Sequence, residues 1–311
     1  MAYGIKYRLE FSDDLENGKK IEILKKDYTG SVLPLVGTSD PVEISWEGDD
    51  DFYSPIKGSS CLINLFVTED VSYDNFYEFN EREYRVNLYY KDASNIYQVF
   101  WTGWIVADNF SEAITTKPFP ITINALDGLG LLKSFDYPIY TTQVTGRTFT
   151  STLTSILDYL DLDLEFYVSN DIRRYQNPSN SLFDELVPQF QNGWFKDGGN
   201  LMDAKSVLEM MLRVANSRIF QSLGKWYIIN NSSYNEQSYL VANETEAVEL
   251  VLYNYLGVYQ STIDVNVLKE IPTNLKPLNN SFLQTNLRPL EKYSYKIDLS
   301  QNDTNYFKNG G

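Results

Sequence analysis

Two structural periods meet in the stretch from Asp203 to Asn230, which reads DAKSVLEMMLRVANSRIFQSLGKWYIIN. Its first half places apolar residues at helical spacing, which predicts an amphipathic helix. The buried face of that helix is formed by Ala204, Val207, Leu208, Met211 and Ala215. Either Asn200 or Asp203 can cap the helix, because a side-chain oxygen there accepts from the free amides of the first turn.

After Asn216 the period of the sequence changes. Two β-branched and aromatic runs, 218–221 and 225–229, flank the tripeptide Ser222-Leu223-Gly224. This pattern predicts a short hairpin with a positive φ at Gly224. A helix that leads directly into a hairpin is a packed α+β unit, and it carries no chemistry of its own.

The composition excludes several classes of active site. The chain has 311 residues, which is enough for two domains, and it contains no histidine and a single cysteine, Cys61. Ser-His-Asp and Cys-His catalysis and the usual zinc ligand sets are therefore excluded. Cys61 lies in an apolar alternation and is predicted to be a core thiol. We predict no cofactor and no metal site.

The charge of the chain bears on its partners. The formal net charge is −16, and such a surface repels phosphate and disfavours nucleic-acid binding. The N-terminus lacks the apolar core of a signal peptide, and no apolar run approaches the roughly 20 residues that a membrane span needs. The sequence therefore predicts a protein made in the cytoplasm that does not insert into membranes.

Residues 1–135 are predicted to form an antiparallel β-barrel or sandwich. Short alternating runs recur along them at the spacing of all-β domains, for example at Cys61, Ile63, Leu65 and Val67. The run Ala125–Leu132 closes the domain as a strand end, a turn and a short helix. Its glycines, Gly128 and Gly130, indicate a packing turn, because the lysine of a phosphate loop and the third glycine of a dinucleotide fold are missing.

An inserted α+β domain is predicted over residues 136–245, and it contains the stretch quoted above. Thr148 is expected to cap its first helix. The acidic residues Asp161, Asp163 and Glu165 alternate with apolar residues and are predicted to share one strand face. This face is either solvated or holds calcium or a pair of metal ions, with the solvated alternative favoured.

Two further segments are predicted to make assembly contacts. The turn-rich connection 169–199 carries Tyr175, Phe190, Trp194 and Phe195, which either anchor a neighbouring subunit or plug their own core. Residues 246–311 are predicted to form strands and an extended C-terminal arm. Its last strand includes Tyr293 and Tyr295, and it either returns to its own sheet or adds to the sheet of another subunit.

Three short motifs resemble the tail hub proteins of bacteriophages, particularly the tail proteins of phages that infect Bacteroidetes. The first is VFWTGWIVADNF, Val99 to Phe110, and the second is the junction ITINALDGLGLLKSFDY, Ile121 to Tyr137. The third is the helix of type VLxxML followed by RIFQSLGKWYI within 203–230. The resemblance covers residues 100–230 best.

This resemblance implies a structural protein of the virion and not an enzyme. Hub proteins combine a tube-like β-barrel with an inserted α+β domain and form rings around the tail axis. By this resemblance the chain forms a ring of three, or of six if it is of the distal-tail type, and it contacts other tail proteins. DNA would pass through the channel without specific binding.

Two functions of other classes are left open. A surface-recognition module, an adhesin or carbohydrate-binding β-sandwich, would stack sugars on exposed aromatic rings, with Trp101, Trp104, Trp194 and Trp226 as candidates. Trp101 and Trp104 are predicted to lie on opposite faces of one strand, so a single platform cannot use both. A glycosidase needs only two carboxylates, but no motif marks such a pair here.

Overall fold

A computed structural model describes residues 2–12, 18–47, 54–69, 71–76, 82–92, 94–106, 116–137, 148–169, 173–174, 177–181, 196–197, 200–231 and 247–266. Its described residues are mostly β, with two main sheets and two α-helices. The predicted class, α+β and mostly β, is confirmed.

The first main sheet has eight strands in the order β3-β1-β2-β6-β7-β8-β5-β4. All of its neighbours are antiparallel except β1 and β3. The strands are β1 (Tyr3–Ser12), β2 (Gly18–Lys26), β3 (Leu33–Pro34), β4 (Gly37–Trp46), β5 (Ser59–Val67), β6 (Tyr84–Lys91), β7 (Tyr97–Ile105) and β8 (Phe119–Leu126).

The segment that joins β3 to β4 connects the two sides of this sheet. The amide of Leu35 donates to the carbonyl of Arg8 on β1 at 2.7 Å, and the amide of Phe66 on β5 donates to the carbonyl of Val36 at 2.8 Å. Because one segment is bonded to β1 on one side and to β5 on the other, the sheet curls towards closure, as a barrel does. A core of alternating apolar residues, including Cys61, fills its interior.

The second main sheet has five strands in the order β14-β15-β9-β16-β17. Only β9 and β15 pair in parallel. Its strands are β9 (Phe166–Ser169), β14 (Ser217–Ser222), β15 (Lys225–Asn230), β16 (Ala247–Tyr253) and β17 (Tyr259–Asn266). Two small hairpins pair β10 (Arg173–Arg174) with β11 (Asn177–Ser181), and β12 (Lys196–Asp197) with β13 (Asn200–Leu201).

The helices α1 (Phe149–Leu157) and α2 (Ala204–Val214) pack with this second sheet around a shared core. The predicted caps are confirmed: Thr148 Oγ1 accepts from the amide of Ser151 at 3.0 Å, and Asp203 Oδ1 accepts from the amide of Ser206 at 2.9 Å. All five residues predicted for the buried face of α2 are buried. The hairpin of β14 and β15 is also confirmed, with φ 67° at Gly224.

The C-terminal strands belong to the second sheet. β16 pairs with β9 through four residues on each strand, and β17 pairs with β16. The predicted limits at residues 135 and 245 stay a prediction. In the structure, β16 is hydrogen-bonded to β9, which lies in the segment predicted as 136–245, and β17 is hydrogen-bonded to β16.

Candidate functional site: the joint between the sheets and the open edges

The outer edge of β14 is covered by residues of the first half of the chain. The amide of Ile219 donates to the carbonyl of Pro55 at 2.8 Å, and the amide of Lys57 donates to the carbonyl of Ile219 at 2.9 Å. Two residues further along β14, the indole of Trp46 donates to the backbone carbonyl of Gln221 at 2.9 Å. The outward backbone groups of β14 at Ile219 and the Gln221 carbonyl are thus hydrogen-bonded within the chain.

The side chain of Gln221 fastens the hairpin to β7. This amide is fully buried; its Oε1 accepts from the amide of Thr102 at 2.8 Å, and its Nε2 donates to the carbonyl of Thr102 at 2.9 Å. The backbone of Thr102 is available because β7 pairs with β8 only at Trp104 and Ile105. The glutamine therefore occupies the place of a strand partner, and each of its bonds would leave an unpaired buried group if it were lost.

The two tryptophans of the W-x-G-W motif anchor different cores. Trp101 is 0% exposed and packs inside the first sheet, whereas Trp104 is 1% exposed and packs in the core of the helices and the second sheet. Their indole groups donate to Ser59 Oγ at 2.9 Å and to the carbonyl of Leu160 at 3.1 Å. A side chain at Gly103 would collide with the carbonyl of Leu126 and the Trp101 ring. The predicted opposite faces are confirmed, and β7 contributes one buried tryptophan to each core.

The burial of the tryptophan rings excludes three of the four residues predicted to stack on sugars. A ring that stacks on a sugar must reach solvent, but Trp101, Trp104 and Trp226 are at most 1% exposed. They are wrong as candidates because the alternation that marks a strand also turns its largest apolar residues inward. The fourth candidate, Trp194, lies outside the described residues.

Asp127 holds the turn that leaves the first sheet. Its Oδ2 accepts from the amide and the hydroxyl of Ser59 at 2.6 and 2.8 Å, and its Oδ1 accepts from the amide of Leu129 at 3.0 Å. Burial raises the pKa of this carboxyl to about 6, although the three hydrogen bonds act in the opposite direction. The next residue, Gly128, has φ 89°, and a short 3-10 helix, Leu129–Ser134, follows. The predicted strand end, turn and short helix are confirmed.

The acidic residues Asp161, Asp163 and Glu165 do not share a strand face, so this prediction is wrong. Asp161 and Asp163 both have positive φ, 55° and 52°, and β9 begins only at Phe166. Left-handed residues break the period of two on which the prediction rested. Glu165 forms an ion pair with Lys225. Within the described ranges, no group of three or more potential ligands could hold a metal ion.

Two long strands end their sheets with an outer edge that has no partner among the described residues. The edge of β4 carries Pro41, Asp40 and Glu43, and its pairing with β5 is irregular between Gly37 and Val42. Proline, charges and bulges are the devices that prevent an exposed edge from pairing with another chain. The β4 edge is therefore built to stay in solvent.

The edge of β17 has a different character. Its sequence YQSTIDVN contains no proline or lysine and one charged residue, Asp264, and its pairing with β16 is regular from Ser261 onward. Large apolar side chains at and beside this strand are exposed: Leu256 64%, Tyr259 57%, Val258 55%, Tyr255 47% and Ile263 39%. An edge with these properties is prone to accept another strand.

The predicted assembly residues are not brought together by the described part of the chain. Tyr175, Phe190, Trp194, Phe195, Tyr293 and Tyr295 all lie outside the described residues.

The sequence did not predict Gln221 or the β17 edge as functional features. A signal for Gln221 was present, because this polar residue falls at an inward position of β14, in phase with Ser217 and Ile219.

Comparisons with known proteins identify no family. No family model matches the chain, and no curated protein does. The chain is similar to a solved structure described as the crystal structure of a 43 kDa tail protein of prophage MuSo2 from Shewanella oneidensis, with a TM-score of 0.33 and 12% identity. The match covers 60% of this chain and 53% of that one, so it spans about half of the length of the tail protein. Similarity at this level assigns neither a family nor a function.

Among the helices of the described residues, none is long and apolar enough to cross a membrane.

Proposed function

We propose that this protein is a structural subunit of a bacteriophage tail, a hub or baseplate-type component that forms a ring around the tail channel. It acts in the virion, next to other tail proteins and further copies of itself. Its role is mechanical, since it contributes a rigid two-sheet body and surfaces for assembly.

One observation carries the proposal: the three motifs that resemble tail hub proteins meet at one buried joint. Trp104 of the first motif and Asp127 of the second fix the exit from the first sheet, while Gln221 of the third binds the backbone of β7. Side chains that lock two sheets together set the angle between them. A subunit of a closed ring needs this fixed angle, because rotation between its two halves would open the ring.

The charge of the chain supports passage of DNA without binding. The net charge is −16, and several lysines are engaged within the chain. Lys20 pairs with Glu22 at 2.9 Å and also lies over the rings of Tyr89 and Tyr97. Lys25 pairs with Glu83 at 3.6 Å. We propose that the channel wall of the ring is acidic, so that it repels the phosphate backbone.

The buried reactive groups support a role without catalysis. Burial raises the pKa of the Cys61 thiol to about 12, so little nucleophilic thiolate forms at neutral pH. The carboxylate of Asp127 is occupied by three donors of its own chain, and it is 2% exposed. Neither group can meet a substrate in this conformation.

The state of assembly tests the proposal. Native mass spectrometry of the purified protein, combined with electron microscopy, should find a closed ring of three copies, or of six if the protein is of the distal-tail type. Mass spectrometry of purified virions should find the same chain. A protein that stays monomeric at high concentration and is missing from virions would overturn the proposal.

A further inference from the structure

We propose that the outer edge of β17 is the acceptor for a strand donated by a neighbouring copy, and that the donated strand is Tyr293–Leu299. The inference rests on the proposed ring and specifies which surfaces of two copies meet. It would give each copy one accepting edge and one donated strand, which is the head-to-tail arrangement that a ring requires.

The accepting edge is held in a fixed position. The turn between β16 and β17 is stabilised by Asn254, whose Oδ1 accepts from the amides of Leu256 and Val258 at 3.0 and 2.9 Å. Gly257, at φ 76°, lies so close to α1 that an added Cβ would be 2.9 Å from Thr154 Cγ2. The exposed side chains of the turn therefore project from a backbone that packs closely against a helix. A preformed edge of this kind pairs with a new strand at a low cost in entropy.

The edge also has fewer features that keep an edge uncovered than β4 has. Lysine, proline and inward charges blunt natural edges, and β4 of this chain has both a proline and acidic residues. β17 has neither a proline nor a lysine, and its exposed residues include Tyr259 and Ile263. Contact with a second strand would pair the outward backbone groups and remove these apolar side chains from water.

The sequence of the chain after β17 favours the named occupant. Residues 267–292 follow the strand and include Pro272, Pro277 and Pro289, which favour extended backbone. At about 3 Å per residue, an extended segment of this length reaches on the order of 80 Å, several times the length of β17. Such an arm is long enough to leave its own subunit and reach the next one.

The donated strand has an alternating pattern that suits an open edge. Tyr293, Tyr295, Ile297 and Leu299 alternate with polar residues, as expected of a strand with one buried face. The charges of the region nearly balance, because Arg288, Lys292 and Lys296 are accompanied by Glu291 and Asp298. The pairing would therefore rest on backbone hydrogen bonds and on apolar contact rather than on charge.

Cysteine cross-linking between differently tagged copies tests the inference. Acceptor variants carry Ser261→Cys, Thr262→Cys or Ile263→Cys, and donor variants carry Ser294→Cys, Tyr295→Cys or Lys296→Cys in a copy with a second tag. The native Cys61 is fully buried, so it gives little background. After mixing and treatment with a short bismaleimide, the ring fraction should yield a covalent dimer that carries both tags in at least one of these combinations.

The control replaces the acceptor with Ser45→Cys on the β4 edge, which should yield no such dimer. A ring that forms without any two-tag product, or a doubly substituted chain that cross-links only within itself, overturns the inference but leaves the proposed function standing. A protein that stays monomeric at every concentration overturns both.

A pair of lysine variants gives an independent readout. Thr262→Lys on β17 and Ser45→Lys on β4 each replace an exposed residue whose hydroxyl makes one hydrogen bond to another hydroxyl. Thr262 bonds Tyr259 at 3.2 Å, and Ser45 bonds Ser60 at 2.8 Å. Thr262→Lys should weaken assembly about tenfold or more, because a lysine blunts the edge. Ser45→Lys should assemble like the wild type. Equal behaviour of the two variants would contradict the role of β17.

Discussion

The two edges of the five-stranded sheet have opposite environments. β14 is covered by the chain itself, through the backbone at Pro55 and Lys57 and through the indole of Trp46. β17, at the other end of the same sheet, has no such cover among the described residues and exposes large apolar side chains. One edge fixes the shape of the subunit, and we propose that the other connects it to the next subunit. Damage to the first should therefore appear as a loss of stability, and damage to the second as a loss of assembly.

The largest effect on stability should come from Trp104, the tryptophan that is buried at the joint between the sheets. Trp104→Ala removes a fully buried ring and leaves a cavity, so we expect a loss of about 3–5 kcal/mol in the free energy of unfolding. Trp46→Ala is the matched control, because this indole also donates to a backbone carbonyl at the joint but is 40% exposed. Its cost should be about 1 kcal/mol. Chemical denaturation measures both, and equal losses would contradict the role of Trp104 as the anchor.

The next effect concerns the glutamine that binds β7. Gln221→Leu preserves much of the volume but leaves the amide and the carbonyl of Thr102 without partners, at a cost of about 2–4 kcal/mol. Gln98→Leu on β7 is the control, because Gln98 is exposed and its bond from Nε2 to Asp92 Oδ2 at 3.0 Å lies at the surface, so its loss should cost less than about 1 kcal/mol. Denaturation curves for the two variants test the difference. A Gln221→Leu protein as stable as the wild type would show that the buried amide does not hold the joint.

The third effect depends on pH and reports on the turn at the joint. Because the folded pKa of Asp127 is about 6 and its ordinary value is 3.8, the folded state binds more protons than the unfolded state between these values. The contribution of this group to stability therefore falls as the pH rises from about 4 to above 6. The free energy of unfolding of the wild type minus that of Asp127→Asn should decrease over this range, by on the order of 2–3 kcal/mol. A difference that stays constant or grows with pH would contradict the buried, ionisable turn.

Glu22 on the outer wall of the first sheet provides a contrast of opposite sign. Burial raises the pKa of this carboxyl, but its hydrogen bonds and ion pairs with Lys20 and Arg8 lower the pKa by more. The net shift is therefore downward from 4.5. Its contribution is present above the ordinary pKa and is lost as the pH falls through the folded value. The stability of Glu22→Gln relative to the wild type should accordingly improve only in acid. Titration of both variants by denaturation separates the two carboxyls.

The smallest effect on stability is expected at the open edge. Thr262→Lys changes an exposed side chain and should alter the free energy of unfolding by less than about 0.5 kcal/mol, measured under conditions where the protein is monomeric. The same variant should assemble poorly. If Thr262→Lys lost as much stability as Gln221→Leu, the Thr262 side chain would be needed for folding, and the variant could not report on assembly at the β17 edge.

Local patterns were predictable from the sequence because they depend on neighbouring residues. The buried face of α2, the cap at Asp203 and the turn at Gly224 follow from spacing and from backbone preferences. The strand expected at 161–165 failed because alternation does not reveal that Asp161 and Asp163 adopt a left-handed backbone. Partners distant in the sequence also escaped prediction: Gln221 and Thr102 are 119 positions apart. The same holds for the tryptophans, whose burial depends on two cores that meet at β7.

Hydrogen exchange of the two edges at low and high protein concentration tests whether β14 is covered by its own chain and β17 by a neighbouring copy. We expect the β14 amides, including that of Ile219, to be protected at every concentration, because the chain itself covers them. Alternate amides of β17 should exchange fast in the monomer and become protected as the ring forms. If β17 is equally protected at all concentrations, or is never protected in a ring that does form, the proposed contact between copies is contradicted.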